Sequence, residues 1–374
     1  MTGPLRVCLV SSAYRPYPSG VSEHVYHLAL ELLRRGHAVN VLTGNYSDQG
    51  RDDLPVTRLG RVFVLPSNHS RFTLPLGLRL AGQVRDFLAA QRFDIIHCHG
   101  LFWPEISYWA IRYATCPAVV TFHSLRGRPP AFLAAFVRRA FPALRTKVSA
   151  RIAVSEAGKA WAESWLPGAY YVIPNGVDTT RFTPGASRPR ILAGHRQSVL
   201  YVGRLDRRKG IGVLIRAFVQ VIARFPDVLL VVVGSGPLDG PARQLCIRLG
   251  ISRSVHFAGP VSNATLPGYY AGCTVYCSPA IGGEAMGIVL IEAMAAGRPV
   301  VASDIPGYNE VVTREQDGLL VPPNNPAALA TALCRVLGSA GLERSMSYRA
   351  LARAAEFSWP TVTDRIEQVY RGLM

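Results

Sequence analysis

The sequence has no long hydrophobic run. Although 49% of its 374 residues are hydrophobic, it contains no stretch of about 18 consecutive apolar residues, the length that spans a bilayer. The first six residues lead directly into a short apolar segment, without the basic region, apolar core and cleavage site of a signal peptide. We therefore expect a globular, cytoplasmic protein with no membrane-spanning helix.

The cysteines favour neither disulfides nor a zinc site. They number seven, include no Cys-x-x-Cys pair and lie mostly in apolar segments, which predicts reduced side chains that pack as small hydrophobes. The triplet His97-Cys98-His99 could suggest a metal. However, neighbouring residues of a strand point to opposite faces, and no second ligand cluster follows. We therefore expect no metal ion.

Lysine is scarce, and long stretches lack acidic residues. Only three of the 41 basic residues are lysines, the net charge is +17, and neither residues 54–85 nor residues 106–155 contain Asp or Glu. A surface of this kind suits an anionic partner. We expect that partner not to be a nucleic acid, because the sequence has no binding motif and no cluster of aromatic residues for base stacking.

One segment, residues 128–147, mixes apolar and basic side chains. Its members are Phe132, Leu133, Phe136, Val137 and Phe141, with Arg138, Arg139, Arg145 and Lys147 beside them. Two alternatives stay open for this segment. A basic amphipathic helix can lie on an anionic membrane surface, or its apolar face can cover a sheet of the first domain.

Short apolar segments alternate with segments of helical period along the whole chain. This alternation is typical of βαβ units with parallel strands, and 374 residues exceed what one core usually holds. Residues 182–196 are rich in Pro, Gly and polar residues and have neither period, which indicates a linker. We therefore predict an α/β protein with two doubly wound parallel-sheet domains, residues 1–181 and 197–359, and a ligand cleft between them.

Ligands bind such sheets beyond the carboxyl ends of the strands, and two residues of the first half are candidates there. Gly20 precedes a segment of helical period, where backbone N–H groups could meet an anionic ligand; the same glycine could merely shape a turn. His123 stands at the end of the predicted strand PAVVTF. It is a candidate ligand contact, and a structural histidine is the alternative.

In the second half, the strand SVLYVG leads into the loop GRLDRRKG. Arg204 and Lys209 lie five residues apart before a predicted helix, and a guanidinium and an ammonium group at that position suit a diphosphate. A solvated basic turn is the alternative. The later VVVGSGPLDG has a G-x-G but not the full dinucleotide fingerprint, which gives little support to a nicotinamide cofactor.

Two glutamates stand eight residues apart in GGEAMGIVLIEAMAAG. Glu284 falls in a loop and Glu292 in the helix that follows, about 12 Å further along at 1.5 Å per residue. That separation exceeds the carboxylate spacing of a retaining glycosidase, about 5 Å. An extended ligand with two hydroxyl-bearing sugars could meet both carboxylates. The N–H groups of Met286, Gly287, Ile288 and Val289 would face its anionic middle.

Together these motifs resemble a large family of retaining nucleotide-sugar glycosyltransferases with the GT-B architecture, which includes sucrose synthase and bacterial lipid mannosyltransferases. The resemblance is greatest to the phosphatidylinositol mannosyltransferases of actinobacteria, and it extends over nearly the whole chain. It rests on the E-x7-E signature formed by Glu284 and Glu292. The other motifs that carry it are SGVSEHV (19–25), RFDIIHCHG (92–100), VTFHS (120–124), IPNGVD (173–178), GRLDRRKG (203–210) and FSWPTVTDRIEQVYRGL (357–373).

The resemblance implies a role for each nucleotide-binding candidate. Glu292 would hold the ribose, and Arg204 and Lys209 would hold the diphosphate. Gly20 would let the first domain approach that diphosphate closely. The last helix, residues 360–374, would cross back to the first domain.

The resemblance also implies the reaction. Glu284 and the backbone of Met286, Gly287, Ile288 and Val289 would hold the transferred sugar, and His123 would touch it near the reacting carbon. A hexose, mannose or glucose, would pass with retention and without metal or cofactor from a nucleotide diphosphate sugar. The acceptor would be lipid-linked or a glycan, at the cytoplasmic face of an anionic membrane.

Two departures leave the substrates open. Ser262 and Asn263 stand where the resembled mannosyltransferases carry acids that suit guanine, so both GDP and UDP sugars remain candidates. The segment 65–77, expected near the acceptor, also departs from them. A nucleotide-sugar 2-epimerase of the same architecture and a non-catalytic peripheral membrane protein are the alternatives. The complete set of Arg204, Lys209, Glu284 and Glu292 disfavours both.

Overall fold

Strands and helices alternate through the chain as predicted. The computed structural model describes residues 3–17, 19–47, 53–67, 70–101, 105–123, 139, 146–193 and 197–374. The chain divides into two units: unit 1 comprises Met1–Gly176 and Trp359–Met374, and unit 2 comprises Val177–Ser358. The last helix therefore belongs to the first unit, in agreement with the expected return of the C-terminal segment.

Unit 1 contains an eight-stranded sheet in the described part of the chain. Its order is β4-β3-β2-β1-β5-β6-β7-β8, and all neighbours are parallel except β3 and β4. The strands are β1 (Arg6–Ser11), β2 (Ala38–Asn45), β3 (Val56–Ser67), β4 (Ser70–Leu76), β5 (Ile95–His99), β6 (Ala118–Phe122), β7 (Val148–Ala153) and β8 (Tyr171–Val172). Strands β5 and β6 are buried along their whole length, as expected for the centre of a doubly wound sheet.

The antiparallel strand β4 was not among the strands predicted from the sequence. It pairs with β3 from Arg61↔Leu76 to Ser67↔Ser70 and forms the edge of the sheet. An edge strand can contain a proline such as Pro75, because one side of the strand needs no N–H donor. Because proline in a short apolar run argues against a strand, the sequence pattern did not predict β4.

Helices cover both faces of the unit 1 sheet. Val7 and Leu9 of β1 belong to one core and Cys8 and Val10 to the other, since alternate residues of a strand point to opposite faces. The helices are α1 (Gly20–Arg34), α2 (Leu80–Gln91), α3 (Ile106–Tyr113), α4 (Glu156–Trp165) and, at the C-terminus, α13 (Trp359–Arg371). Helices α1 and α13 cover one face and α2, α3 and α4 the other.

Unit 2 contains a six-stranded sheet in which every neighbouring pair is parallel. Its order is β11-β10-β9-β12-β13-β14. The strands are β9 (Ser198–Val202), β10 (Leu229–Val233), β11 (Val255–Gly259), β12 (Val275–Ser278), β13 (Val300–Ser303) and β14 (Gly318–Val321). The chain winds one way from β9 to β11 and the other way from β12 onward. The topological switch point, where doubly wound sheets bind ligands, is therefore between β9 and β12.

Unit 2 also includes the residues that the sequence predicted as a linker. Phe182 is buried, and its ring packs edge-on against Tyr270 with centroids 5.6 Å apart. The helices of unit 2 are α5 (Arg190–Ala193), α6 (Ile211–Arg224), α7 (Asp239–Arg248), α8 (Leu266–Gly272), α9 (Ile288–Ala295), α10 (Pro306–Asn309), α11 (Pro326–Leu337) and α12 (Ala340–Ala355). Segment 182–196 thus enters unit 2 through a buried aromatic side chain.

All seven cysteines are free thiols, as predicted. No helix among the described residues combines the length and the apolar character needed to cross a membrane. The mixed apolar and basic segment 128–147 lies outside the described residues, apart from Arg139, Thr146 and Lys147.

Candidate functional site

The loop after β9 packs tightly against the end of β12. Gly210 has φ +72°, and a Cβ atom there would lie 1.9 Å from the carbonyl oxygen of Pro279, so only glycine fits. Before it, Arg207–Lys209 form a 3₁₀ turn, and the Asp206 carboxylate accepts a hydrogen bond from the Lys209 N–H at 3.0 Å. The backbone therefore brings Lys209 to the loop that contains Glu284.

Two cations hold Glu284 in this loop. Arg208 Nη1 donates to Glu284 Oε1 at 2.9 Å, and Lys209 Nζ donates to Oε2 at 3.0 Å. The glutamate is buried, whereas the Arg208 side chain is 44% exposed. The sequence predicts separate roles for Lys209 and Glu284, whereas the structure brings them into direct contact. Arg208 was not among the predicted site residues, and its only signal in the sequence is its place in the basic run RRK.

Arg204 lies on the same loop, near its beginning. Its backbone carbonyl accepts a hydrogen bond from the Tyr201 hydroxyl at 3.0 Å. Its guanidinium Nε is 4.0 Å from Oδ2 of the buried Asp206, and its side chain is 42% exposed. Arg204 therefore presents a positive charge to solvent from the same short loop as Arg208 and Lys209.

Helix α9 starts at Ile288 as a direct continuation of the Glu284 loop. Its N-cap is Gly287, with φ +83°, so no side-chain oxygen caps the first helical N–H groups. A Cβ atom at Gly287 would lie 2.5 Å from the ring of Tyr308. This close packing fixes the start of the helix. Met286, just before the N-cap, is buried, and the backbone N–H groups of Ile288 and Val289 belong to the first turn.

Glu292 lies inside α9 and has a different partner from Glu284. The hydroxyl of Tyr270 donates to Glu292 Oε2 at 2.8 Å, and Tyr270 is completely buried. Burial, with the adjacent Glu292 charge, raises the pKa of the Tyr270 hydroxyl well above its usual value, so this group stays a hydrogen-bond donor. Tyr270 was not among the residues predicted from the sequence, where it stands 22 positions before Glu292.

In unit 1, Gly20 is the first residue of α1. The Ser19 side chain caps this helix by accepting a hydrogen bond from the Ser22 N–H at 3.0 Å. Gly20 is exposed, so the N-terminus of a 15-residue helix is open to solvent at this point.

His123 directly follows β6 and belongs to a cluster of imidazoles. Its Nε2 lies 3.1 Å from His99 Nδ1, and its Nδ1 lies 3.2 Å from Asn175 Oδ1. Asn175 Oδ1 is also 3.0 Å from His24 Nδ1. Neither His24, His99 nor Asn175 was selected as a site residue, although each stands in a segment that carries the family resemblance.

Burial keeps these imidazoles neutral. It lowers the pKa of His123 to about 4 and that of His97 to about 3. It lowers the pKa values of His24 and His99 well below the usual histidine value, and the proximity of the other rings adds to the effect. At neutral pH each ring therefore has one N–H donor and one lone pair.

The cluster also contains the described residues that could hold a metal ion. His24, His99 and His123 can each offer a ring nitrogen within 4.8 Å of the others. The triplet weighed from the sequence is arranged differently: both nitrogens of His97 lie 2.6 Å from hydroxyls, those of Tyr370 and Thr121. The His99–His123 separation of 3.1 Å is a hydrogen-bond distance.

Two segments of the chain match known glycosyltransferase families. Residues 18–181 match Glycosyltransferase Family 4, and residues 196–339 match Glycosyl transferases group 1. The phosphatidyl-myo-inositol mannosyltransferase of Mycolicibacterium smegmatis is 35% identical over 98% of this chain and 93% of its own length. The D-inositol 3-phosphate glycosyltransferase of Salinispora arenicola is 32% identical over 91% of this chain and 85% of its own length.

Solved structures show the same fold. A glycosyltransferase from Rickettsia africae has a TM-score of 0.81 at 19% identity, covering 99% of this chain and 98% of its own. Anabaena Alr3699/HepE in complex with UDP has a TM-score of 0.79 at 21% identity, covering 99% and 100%. The class defined by the two doubly wound units is thus that of the GT-B glycosyltransferases. With these relatives, the chain belongs to glycosyltransferase family 4, as the sequence resemblance predicted.

Proposed function

We propose that this glycosyltransferase moves a hexose, mannose or glucose, from a nucleotide diphosphate sugar to a lipid-linked or glycan acceptor, with retention and without a metal ion or other cofactor. The observation that carries the proposal is the contact of Glu284 with Arg208 and Lys209 at the switch point of the unit 2 sheet. The relatives support the substrate classes. One is named for mannose transfer to phosphatidyl-myo-inositol, and Anabaena Alr3699/HepE was solved with UDP and glucose.

The ion pairs of Glu284 suggest how the donor is recognised. A diphosphate carries more negative charge than one carboxylate and offers several acceptor oxygens, so it competes for Lys209 and recruits the exposed Arg204. When Lys209 turns to the diphosphate, one carboxylate oxygen of Glu284 becomes available to sugar hydroxyls. Backbone N–H groups from Met286 through Gly287 to Val289 take part in holding that sugar.

The remaining donor contacts follow the same logic. Glu292, oriented by Tyr270, accepts hydrogen bonds from the ribose hydroxyls. In unit 1, Gly20 leaves the N-terminus of α1 open to the diphosphate, and His123 accepts a hydrogen bond from a hydroxyl of the transferred sugar.

In the reaction, the bond between the anomeric carbon and the diphosphate oxygen breaks, and a bond to the acceptor oxygen forms on the same face of the sugar. The proton of the acceptor hydroxyl passes to a leaving phosphate oxygen. Arg204 and Lys209 stabilise the negative charge that develops on the leaving group. Stabilisation of developing charge by fixed donors is commonly the largest contribution to catalysis.

We propose UDP or GDP as the nucleotide of the donor. The loop after β11 offers Ser262, whose hydroxyl accepts a hydrogen bond from the Thr265 N–H at 3.2 Å, and the exposed Asn263. Neither carries the carboxylate that would pair with the donors of guanine. UDP sugars are therefore candidate donors beside GDP sugars. A thermal-shift panel of UDP, GDP and ADP ranks the nucleotides, because a ligand that binds the native state raises its stability.

The acceptor proposal includes peripheral binding to the inner, anionic surface of the cell membrane. It rests on the net charge of +17, the acid-free stretches and the phospholipid in the relative's name. Binding to vesicles should rise with their content of anionic lipid and fall with added salt. Equal binding to neutral vesicles would contradict this part of the proposal.

The decisive test is a transfer assay with GDP-mannose and UDP-glucose, read by NMR of the product's anomeric proton. We expect transfer with the donor's anomeric configuration, and its loss in Glu284→Gln. An inverted product would overturn retention. A nucleotide sugar altered only at its second carbon would support the epimerase instead, and no turnover of either donor would favour the non-catalytic alternative.

A further inference from the structure

The imidazole cluster of unit 1 contains more polar groups than a single sugar contact requires. Asn175 Oδ1 lies within hydrogen-bond distance of two ring nitrogens, Nδ1 of His24 at 3.0 Å and Nδ1 of His123 at 3.2 Å. A carbonyl oxygen can only accept hydrogen bonds. With the Asn175 amide placed as in this structure, both rings carry their proton on Nδ1.

The position of the lone pairs follows from neutrality. Since burial lowers the pKa of His123 to about 4, the ring has one proton at neutral pH, and its Nε2 is an acceptor. His99 Nδ1 lies 3.1 Å from that atom and must donate to it. His99 then also has its proton on Nδ1. The Nε2 atoms of His24 and His99 become buried acceptors, and neither has a hydrogen-bond partner among the described residues.

We propose that Asn175 is a positioning residue that holds His123 in the tautomer with the proton on Nδ1 and the lone pair on Nε2. His123 is thereby fixed as a hydrogen-bond acceptor. In the free enzyme, the His99 Nδ1–H group donates a hydrogen bond to His123 Nε2. When the sugar binds, one of its hydroxyls donates to that atom instead. The use of that acceptor by a sugar rests on the function proposed above, whereas the tautomer itself does not.

The surrounding packing explains why Asn175 can act in this way. Asn175 is buried, and a Cβ atom at the next residue, Gly176, would lie 2.5 Å from the Trp359 ring. Only glycine lets the segment approach that ring. Trp359 in turn packs edge-on against His24, with centroids 5.0 Å apart. The amide is thus held between a fixed backbone and two imidazoles.

Neutral rings surround His123 among the described residues. The titratable groups packed near it are His24 from α1 and His97 and His99 from β5, and His27 lies one turn beyond His24 against Trp359. None of these groups carries a negative charge that would stabilise an imidazolium. The neutral amide at position 175 sets the tautomer and raises the pKa of His123 by less than burial lowers it, whereas the negative charge of an aspartate would raise that pKa further.

The first experiment reads the tautomer in the free enzyme. Long-range ¹H–¹⁵N NMR of histidine-labelled protein distinguishes a protonated from an unprotonated ring nitrogen, and the spectrum of His123→Gln assigns the His123 signals. We expect Nδ1–H in the wild type and in Asn175→Asp, and a mixture of tautomers in Asn175→Leu. A wild-type His123 protonated on Nε2, or with a metal ion on that atom, would overturn the proposal.

The second experiment reads the consequence for turnover. Asn175→Leu should lower kcat about tenfold, the cost of one hydrogen bond to a misplaced acceptor, with little change in KM for the donor. Asn175→Asp should restore kcat above neutral pH and move the acidic limb of the pH profile upward. Thr121→Val is the matched control, because it removes a hydrogen bond from His97 in the same cluster and leaves His123 untouched.

The two readouts separate the proposals. A protein with the expected tautomer and no transfer activity would contradict the proposed function and leave the role of Asn175 standing. A fall in kcat for Thr121→Val equal to that for Asn175→Leu would show that the cluster matters only for folding. That result would overturn the positioning role.

Discussion

The candidate residues of the two units use opposite electrostatics. In unit 2, a buried carboxylate is held by two cations, Arg208 and Lys209. In unit 1, imidazoles are held neutral by burial and by the proximity of one another. Formal charges suit a diphosphate, and neutral acceptors suit sugar hydroxyls. The difference separates the charged contacts proposed for Arg204 and Lys209 in unit 2 from the neutral acceptor proposed for His123 in unit 1.

The largest expected effect is a difference in acid stability between the units. A histidine whose pKa is lowered in the folded state contributes stability above its ordinary pKa, about 6.5, and loses it as pH falls below that value. The loss approaches about 1.4 kcal/mol per pH unit for each histidine. His24, His97, His99 and His123 together would remove on the order of 5 kcal/mol per pH unit, comparable to the whole stability of many domains.

Unit 2 should respond differently, because burial raises the pKa of Asp317 and of Glu343. A carboxyl group with a raised pKa becomes less unfavourable in the folded state as pH falls. Hydrogen-exchange mass spectrometry between pH 7.5 and 5 should therefore show the loss of protection in β5 and β6 at a higher pH than in β9 and β10. Loss of protection in both sheets at the same pH would contradict the expected difference in acid stability between the units.

The next largest effect concerns Lys209, one of the two cations that hold Glu284 in unit 2. Lys209→Ala should lower kcat by about 10²- to 10³-fold, the range for removing one donor to a developing charge. The melting temperature should change little, because Arg208 still neutralises Glu284. Arg207→Ala, an exposed neighbour in the same 3₁₀ turn, should retain activity. Equal losses of kcat in the two variants would show that Lys209 contributes only its positive charge and no specific contact.

A smaller effect is expected at Glu292. Glu292→Ala should weaken nucleotide binding about 10- to 100-fold, the value of hydrogen bonds to a charged group, as measured by calorimetry. It also leaves the buried Tyr270 hydroxyl without this acceptor. Glu292→Gln keeps an acceptor for that hydroxyl and so serves as the control for folding. Unchanged affinity in Glu292→Ala would refute the ribose assignment.

Local motifs made much of unit 2 predictable. Arg204, Lys209, Glu284 and Glu292 stand within two short segments, and the alternation of apolar runs indicated where those segments follow strands. The partners of these residues were harder to foresee. Arg208 contacts a residue 76 positions away, and Tyr270 contacts one 22 positions away, and neither pairing has a periodic signal.

The imidazole cluster of unit 1 could not be read from the sequence. Its histidines come from α1, from β5 and from the position after β6. Their partners Asn175, Trp359 and Tyr370 come from the segment after β8 and from the last helix. Only the folded sheet and its helices bring these residues together. Composition also misled at two places. Pro75 concealed the edge strand β4, and the Pro- and Gly-rich segment 182–196 gave no sign that Phe182 is buried.

The smallest expected effect is that of chelators, and it concerns the neutral imidazoles of unit 1. Three imidazoles with nitrogens within 4.8 Å of one another could accept a zinc ion. The hydrogen bond between His99 and His123 would have to break for both to turn lone pairs to the metal. We therefore expect chelators to leave transfer and the His123 NMR signals unchanged. Activity lost to chelation and restored by zinc alone would contradict the metal-free mechanism, and it would make unit 1, like unit 2, a site that depends on a positive charge.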